Sequence, residues 1–187
     1  MTAHDPVVVL VSRTGLALAA SGGALVARPL TPHARHGWER AFQWRVSGLG
    51  TTFDPVLQFE HLDGGLLTVI DRRRGTLGLR NPVAAADDAV WNVRVIGRGA
   101  LSWHWWLNAL PPETLARPFD QDALFEGAGG GFAIRLNADP DRTLTILNGN
   151  LAGGGCPVVA RDGWHGGAEH ELWVPLWVPR SAAAAAS

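Results

Sequence analysis

The chain has 187 residues, 47% hydrophobic and 18% charged, which excludes a disordered polypeptide and suits one globular domain. A formal net charge of −1, with 16 Arg and no Lys on the positive side, excludes the basic field on which nucleic-acid binding depends. The single cysteine, Cys156, excludes an intrachain disulfide, and no run approaches the roughly 18 apolar residues of a membrane-spanning helix.

The high content of Gly (23) and Pro (12) favours many short strands joined by tight turns. Residues 7–12, Val-Val-Val-Leu-Val-Ser, are β-branched and short and read as a strand. No positively charged segment precedes this run and Arg13 interrupts it, so a secretory leader is not expected and the cytoplasm is the default compartment. Leu16, Leu18 and Ala20 alternate, Ser21-Gly22-Gly23 makes a hairpin turn, and 25–28 returns, ending at Arg28. Residues 31–41 form a polar loop or a single helical turn, followed by the strand Phe42-Gln43-Trp44-Arg45-Val46.

The same order then recurs. Leu57 and Phe59 share one face of a strand, with Val56, Gln58 and Glu60 on the other, and Asp63-Gly64-Gly65 turns the chain. Residues 66–69 run to a charged turn at Arg72-Arg73-Arg74-Gly75, which is a solvated loop or an anion site. Residues 77–80 end at Arg80, and Val90-Trp91-Asn92-Val93 closes the unit. A third copy has Leu144-Thr145-Ile146, a Gly-rich turn, Val158-Val159-Ala160-Arg161, and Leu172-Trp173-Val174.

Trp44 and Trp91 lie 47 residues apart and Trp91 and Trp173 lie 82 apart, one further period plus an insertion of about 35. The repeats are placed at about 7–50, 56–99 and 132–178 of a single domain, with an insertion at 100–131 and a frayed tail at 181–187. In the insertion, read as a strand, Leu101, Trp103, Trp105 and Leu107 share one face and Ser102, His104, Trp106 and Asn108 the other, until Pro111-Pro112 stops it.

Three such units, each mostly strand and each closing on a Trp, resemble a β-trefoil of the ricin-B-type lectin kind. That family's units end in Gln-x-Trp; the counterparts here are Phe42-Gln43-Trp44, Ala89-Val90-Trp91 and Glu171-Leu172-Trp173, none of them a true Gln-x-Trp. The resemblance implies an all-β fold in which one unit cannot bury its apolar face alone and three close a barrel with Trp44, Trp91 and Trp173 in the core. It also implies a sugar site built from an Asp near the first paired strand and an aromatic platform at the end of the next. The matching early positions are Ala17, Thr68 and Thr145, so the Asp is missing. The platform falls at Arg28, Arg80 and Arg161, which suit anionic groups or pair with neighbouring carboxylates or carbonyls.

Other clusters point to chemistry less directly. His33 and His36, or His165, His170 and Glu171, have spacings that could contribute metal ligands but match no metal signature, so neither metal nor cofactor is expected. Cys156 has no identifiable base beside it and reads as an inert thiol. The stronger candidate is the insertion, where His104, Trp106 and Asn108 set an aromatic plate beside hydrogen-bonding groups, as sugar recognition requires. Trp38 and Trp164 would add plates from the loops of the first and third units. Alternatively the insertion packs as a second small core or forms a contact between copies of the chain. The leading expectation is a carbohydrate-binding module without catalytic activity, with a glycan or other small polar ligand as partner. The alternatives are a protein-binding trefoil, such as a protease inhibitor or toxin component, and a small enzyme with a pocket near the insertion.

Overall fold

The computed structural model describes residues 6–30, 39–50, 55–82, 87–96, 131–148, 154–163, 165 and 168–178. Among these, the chain forms twelve strands: β1 (Val7–Ser12), β2 (Leu16–Ser21), β3 (Ala24–Pro29), β4 (Trp44–Gly50), β5 (Pro55–His61), β6 (Leu66–Asp71), β7 (Thr76–Arg80), β8 (Trp91–Val95), β9 (Phe132–Leu136), β10 (Asp139–Ile146), β11 (Cys156–Asp162) and β12 (Trp173–Trp177). The expected insertion strand at 101–108 and the tail at 181–187 lie outside the described residues.

Six strands close on themselves. β1 pairs with β4, β4 with β5, β5 with β8, β8 with β9, β9 with β12 and β12 with β1, all antiparallel. This ring is a barrel without free edges, the arrangement that removes the hazard of an exposed strand. The remaining strands form three hairpins, β2–β3, β6–β7 and β10–β11, one from each unit. A six-stranded barrel with three hairpins, four strands to a unit, is the β-trefoil that the repeat pattern implied.

Alternation explains the barrel. In β5, Leu57, Phe59 and His61 are buried while Val56, Gln58 and Glu60 are partly exposed, as a strand with one face on a core requires. Trp91 and Val93 of β8, and Phe132, Ile134 and Leu136 of β9, enter the same core. The three repeat tryptophans, Trp44, Trp91 and Trp173, are wholly buried. Each gains about 2–3 kcal/mol from apolar burial, and each needs a partner for its indole N–H. The partners are main-chain oxygens in the hairpin of the same unit: Leu18 at 3.2 Å, Leu67 at 3.0 Å and Leu144 at 2.9 Å.

A second set of bonds repeats with the same symmetry. The amide N–H groups of Arg13, Leu62 and Asn137, just past the first strand of each unit, donate to the carbonyls of Leu172, Gln43 and Val90. The residue before each of these carbonyls ends a short 3-10 turn: Arg40–Phe42, Asp87–Ala89 and Glu169–Glu171. Strands 4, 8 and 12 therefore begin at the Trp itself, and the strand expected from Phe42 starts two residues later.

The hairpins meet less symmetrically than the barrel strands. β11 pairs with β3 through Cys156 opposite Ala27 and with β7 through Val159 opposite Thr76. Gly75 and Gly155 sit where these backbones come closest.

Candidate functional site

Hairpin registers show which residues are equivalent. Arg28 lies opposite Ala17, Arg80 opposite Leu66, and Arg161 opposite Thr143. The three arginines thus occupy one position in the three units. The early positions assigned to units two and three, Thr68 and Thr145, are displaced by two residues and give way to Leu66 and Thr143. Apolar alternation has a period of two, so a slip of two leaves every side chain on its face and is invisible to pattern reading. No Asp stands at the corrected positions.

The three arginines have different surroundings. Arg80 and Arg161 are exposed. The Arg28 guanidinium lies 5.2 Å from the centroid of the Phe42 ring and reaches Glu39 at 3.9 Å. Its Nε is buried without a hydrogen-bond partner among the described residues. Arg28 is thus held by stacking against an aromatic face, with Glu39 beyond it. The other candidate residues, Trp106, His104, Asn108, Trp38 and Trp164, lie outside the described residues.

The charged turn at 72–75 is tied down within the protein. Asp71 Oδ1 accepts the amide N–H groups of Arg73 and Arg74, closing an Asx-type turn. Arg72 Nε donates to Asp88 at 2.6 Å, and that hydrogen bond raises the Arg72 pKa above its ordinary value.

Two arrangements were not assembled from sequence. The first pairs Glu171 with His165. Glu171 is fully buried, at the position where the other units place Phe42 and Ala89. Oε1 accepts from His165 Nδ1 at 2.8 Å and Oε2 from the His165 amide at 3.3 Å. An ionised carboxylate only accepts, so Nδ1 carries the hydrogen, on a side chain that is 42% exposed. A carboxylate fixing an imidazole in this way sets its tautomer and orientation. Sequence spacing sets His165, His170 and Glu171 together, and in the structure His165 and Glu171 hydrogen-bond to each other.

The second is an open depression of about 480 Å³ lined by Asn92, Arg94, Arg135, Asn137 and Pro140. Asn92 and Arg94 alternate with the buried Trp91 and Val93 along β8; Arg135 and Asn137 flank the buried Leu136 at the end of β9. Asn92 lies directly opposite Arg135 and Arg94 opposite Ala133, so the two arginines are diagonal neighbours. The Arg135 pKa is lowered, first by burial and next by the charge of Arg94, while Asp141 and Glu171 oppose the shift more weakly. The sequence signal was there in the outward positions of two strands, but their adjacency depends on the closed ring.

No protein-family profile matches the sequence, and no curated protein matches it. Solved structures do match in shape. A designed 3-fold symmetric protein, ThreeFoil, superposes with a TM-score of 0.56 at 16% identity, over 91% of this chain and 97% of the other. The BEL β-trefoil gives 0.55 at 10% identity, over 95% and 97%. A lectin of Polyporus squamosus, in complex with the epitope Neu5Acα2-6Galβ1-4GlcNAc, gives 0.54 at 13% identity over 94% of this chain, which spans 50% of the lectin. Closed ring, three hairpins and repeated Trp anchors agree with these likenesses, and the chain is a β-trefoil.

Proposed function

We propose that this protein is a carbohydrate-binding, lectin-like module that recognises its ligand without catalysing a reaction. The observation that carries the reading is a fold shared with a lectin whose structure holds a glycan epitope. The fold's own economy supports it: the apolar faces are consumed by the barrel, and recognition is left to polar and aromatic groups that project from it. In this reading Trp106 is the stacking plate, His104 and Asn108 hydrogen-bond sugar hydroxyls, and Trp38 and Trp164 extend the aromatic surface. Arg28, Arg80 and Arg161 are offered once per unit, so acidic or multivalent glycans are the favoured class. The insertion at 100–131 is the element that distinguishes this chain from a bare threefold barrel.

A glycan array probed with the intact protein tests the reading. The expected result is a defined set of bound glycans, with Trp106→Ala weakening binding at least about tenfold while leaving the melting temperature in place. An array without binders overturns it, and so does a Trp106→Ala protein that binds unchanged.

A further inference from the structure

We infer that His165 is a ligand-recognition group, its Nε2 accepting a hydrogen bond from a hydroxyl of the bound saccharide. This role rests on the carbohydrate reading above and adds a residue to it. Glu171 Oε1 takes the hydrogen on Nδ1 at 2.8 Å, and Oε2 takes the His165 amide N–H at 3.3 Å. In a neutral imidazole one ring nitrogen donates and the other accepts. The carboxylate claims the donor, so Nε2 is left as the acceptor. The side chain is 42% exposed, and among the described residues no other hydrogen bond or ion pair engages it. A ring held at one end and open at the other is in place before a ligand arrives, which cuts the ordering cost of binding.

The other two units show that the barrel does not require this pair. Phe42 and Ala89 fill the place of Glu171 there, and both are buried. An apolar side chain therefore suits the position, whereas unit three buries a carboxylate, which is costly unless it is hydrogen-bonded. Departures of this kind from the pattern of a core mark functional positions. What the carboxylate secures is the orientation and tautomer of one half-exposed imidazole. Glu171 acts through His165 and is a positioning residue. Arg161, exposed near the end of β11, precedes His165 by four residues. One short stretch of unit three thus carries a guanidinium donor and an imidazole acceptor, and saccharide hydroxyls engage both kinds of group.

The probes are the glycan that the intact protein retains most strongly on an array and the singly deoxygenated derivatives of that glycan, titrated by calorimetry. For the parent, loss of one particular hydroxyl should weaken binding about fivefold to tenfold, the worth of one hydrogen bond. His165→Ala, checked for an unchanged circular dichroism spectrum, should bind the full glycan more weakly by a similar factor. It should also bind that one derivative as well as the full glycan, because the acceptor is gone. A second readout needs no substitution. In a long-range proton–nitrogen correlation spectrum of the parent, the His165 Nε2 resonance should move when the full glycan is added, while Nδ1 keeps its hydrogen. The role is overturned if His165→Ala binds as the parent does, if it weakens the glycan and every derivative by one common factor, or if the Nε2 resonance stays still. An array without binders removes the carbohydrate reading and this role together, whereas binders indifferent to His165 remove this role alone.

Discussion

The indole nitrogen of Trp44 donates to the main-chain oxygen of Leu18 at 3.2 Å, joining a barrel strand to the hairpin of its own unit. Trp91 and Trp173 do the same with Leu67 and Leu144. One side chain thus does two jobs, filling the core with its ring and fixing the hairpin with its N–H. Replacement by Phe keeps most of the ring but leaves a buried carbonyl unsatisfied, at about 1–3 kcal/mol. Replacement by Ala adds a cavity and costs about 3–5 kcal/mol. Urea unfolding of Trp44→Phe, Trp91→Phe and Trp173→Phe should give three similar losses, with Trp91→Ala clearly larger. A negligible loss in any one unit would show that its anchor contributes nothing.

The glycines of the hairpin turns divide into two kinds. A Cβ on Gly75 would overlap the carbonyl oxygen of Ala160, and one on Gly155 would lie 3.0 Å from the carbonyl oxygen of Ala27. Ala27 and Ala160 are equivalent, so each of these two hairpins presses its turn onto the same spot of the next. Gly23, in the first hairpin, has nothing within 4 Å. All three have positive φ, so Ala costs about 1 kcal/mol or more at each from conformation alone. Gly75→Ala and Gly155→Ala should lose more than Gly23→Ala, because backbone must also move. Thermal melts of the three variants check the order.

Fold and site were not equally legible. Gly turns, alternating apolar strands and a Trp closing each unit are local features, so three of them in a fixed order pointed to the trefoil. The equivalence of Arg28, Arg80 and Arg161 came through for the same reason. The period-two pattern does not report a shift of two, which is why it places Thr68 and Thr145 where the register has Leu66 and Thr143. Asn92, Arg94, Arg135 and Asn137 went unassembled because their strands are distant in sequence, and only ring closure sets them side by side.

Arg45 and Glu60 form a close ion pair on the outer face of the barrel. Both side chains are substantially open to solvent, at 46% and 33%. Exposed pairs are worth about 0–1 kcal/mol, since water screens the attraction and two long side chains lose freedom. A double-mutant cycle on Arg45→Ala and Glu60→Ala should give a coupling within that range, shrinking further in 1 M salt. A coupling of several kcal/mol would show that the seam relies on this pair.

Glu171 poses the opposite case. Its carboxylate is fully buried in the position that Phe42 and Ala89 fill elsewhere, and both oxygens are committed to His165. His165→Ala keeps the amide contact but removes the imidazole, leaving a buried carboxylate half satisfied. A loss of about 1.5–3 kcal/mol is expected, the range for hydrogen bonds to charged groups. Glu171→Leu in the His165→Ala background removes the buried charge together with its need for a partner, and should recover part of that loss. Equilibrium unfolding of the single and double variants decides the matter. If His165→Ala is as stable as the parent, the pair does not hold the loop, and if the double variant falls further, the carboxylate is serving a partner other than His165.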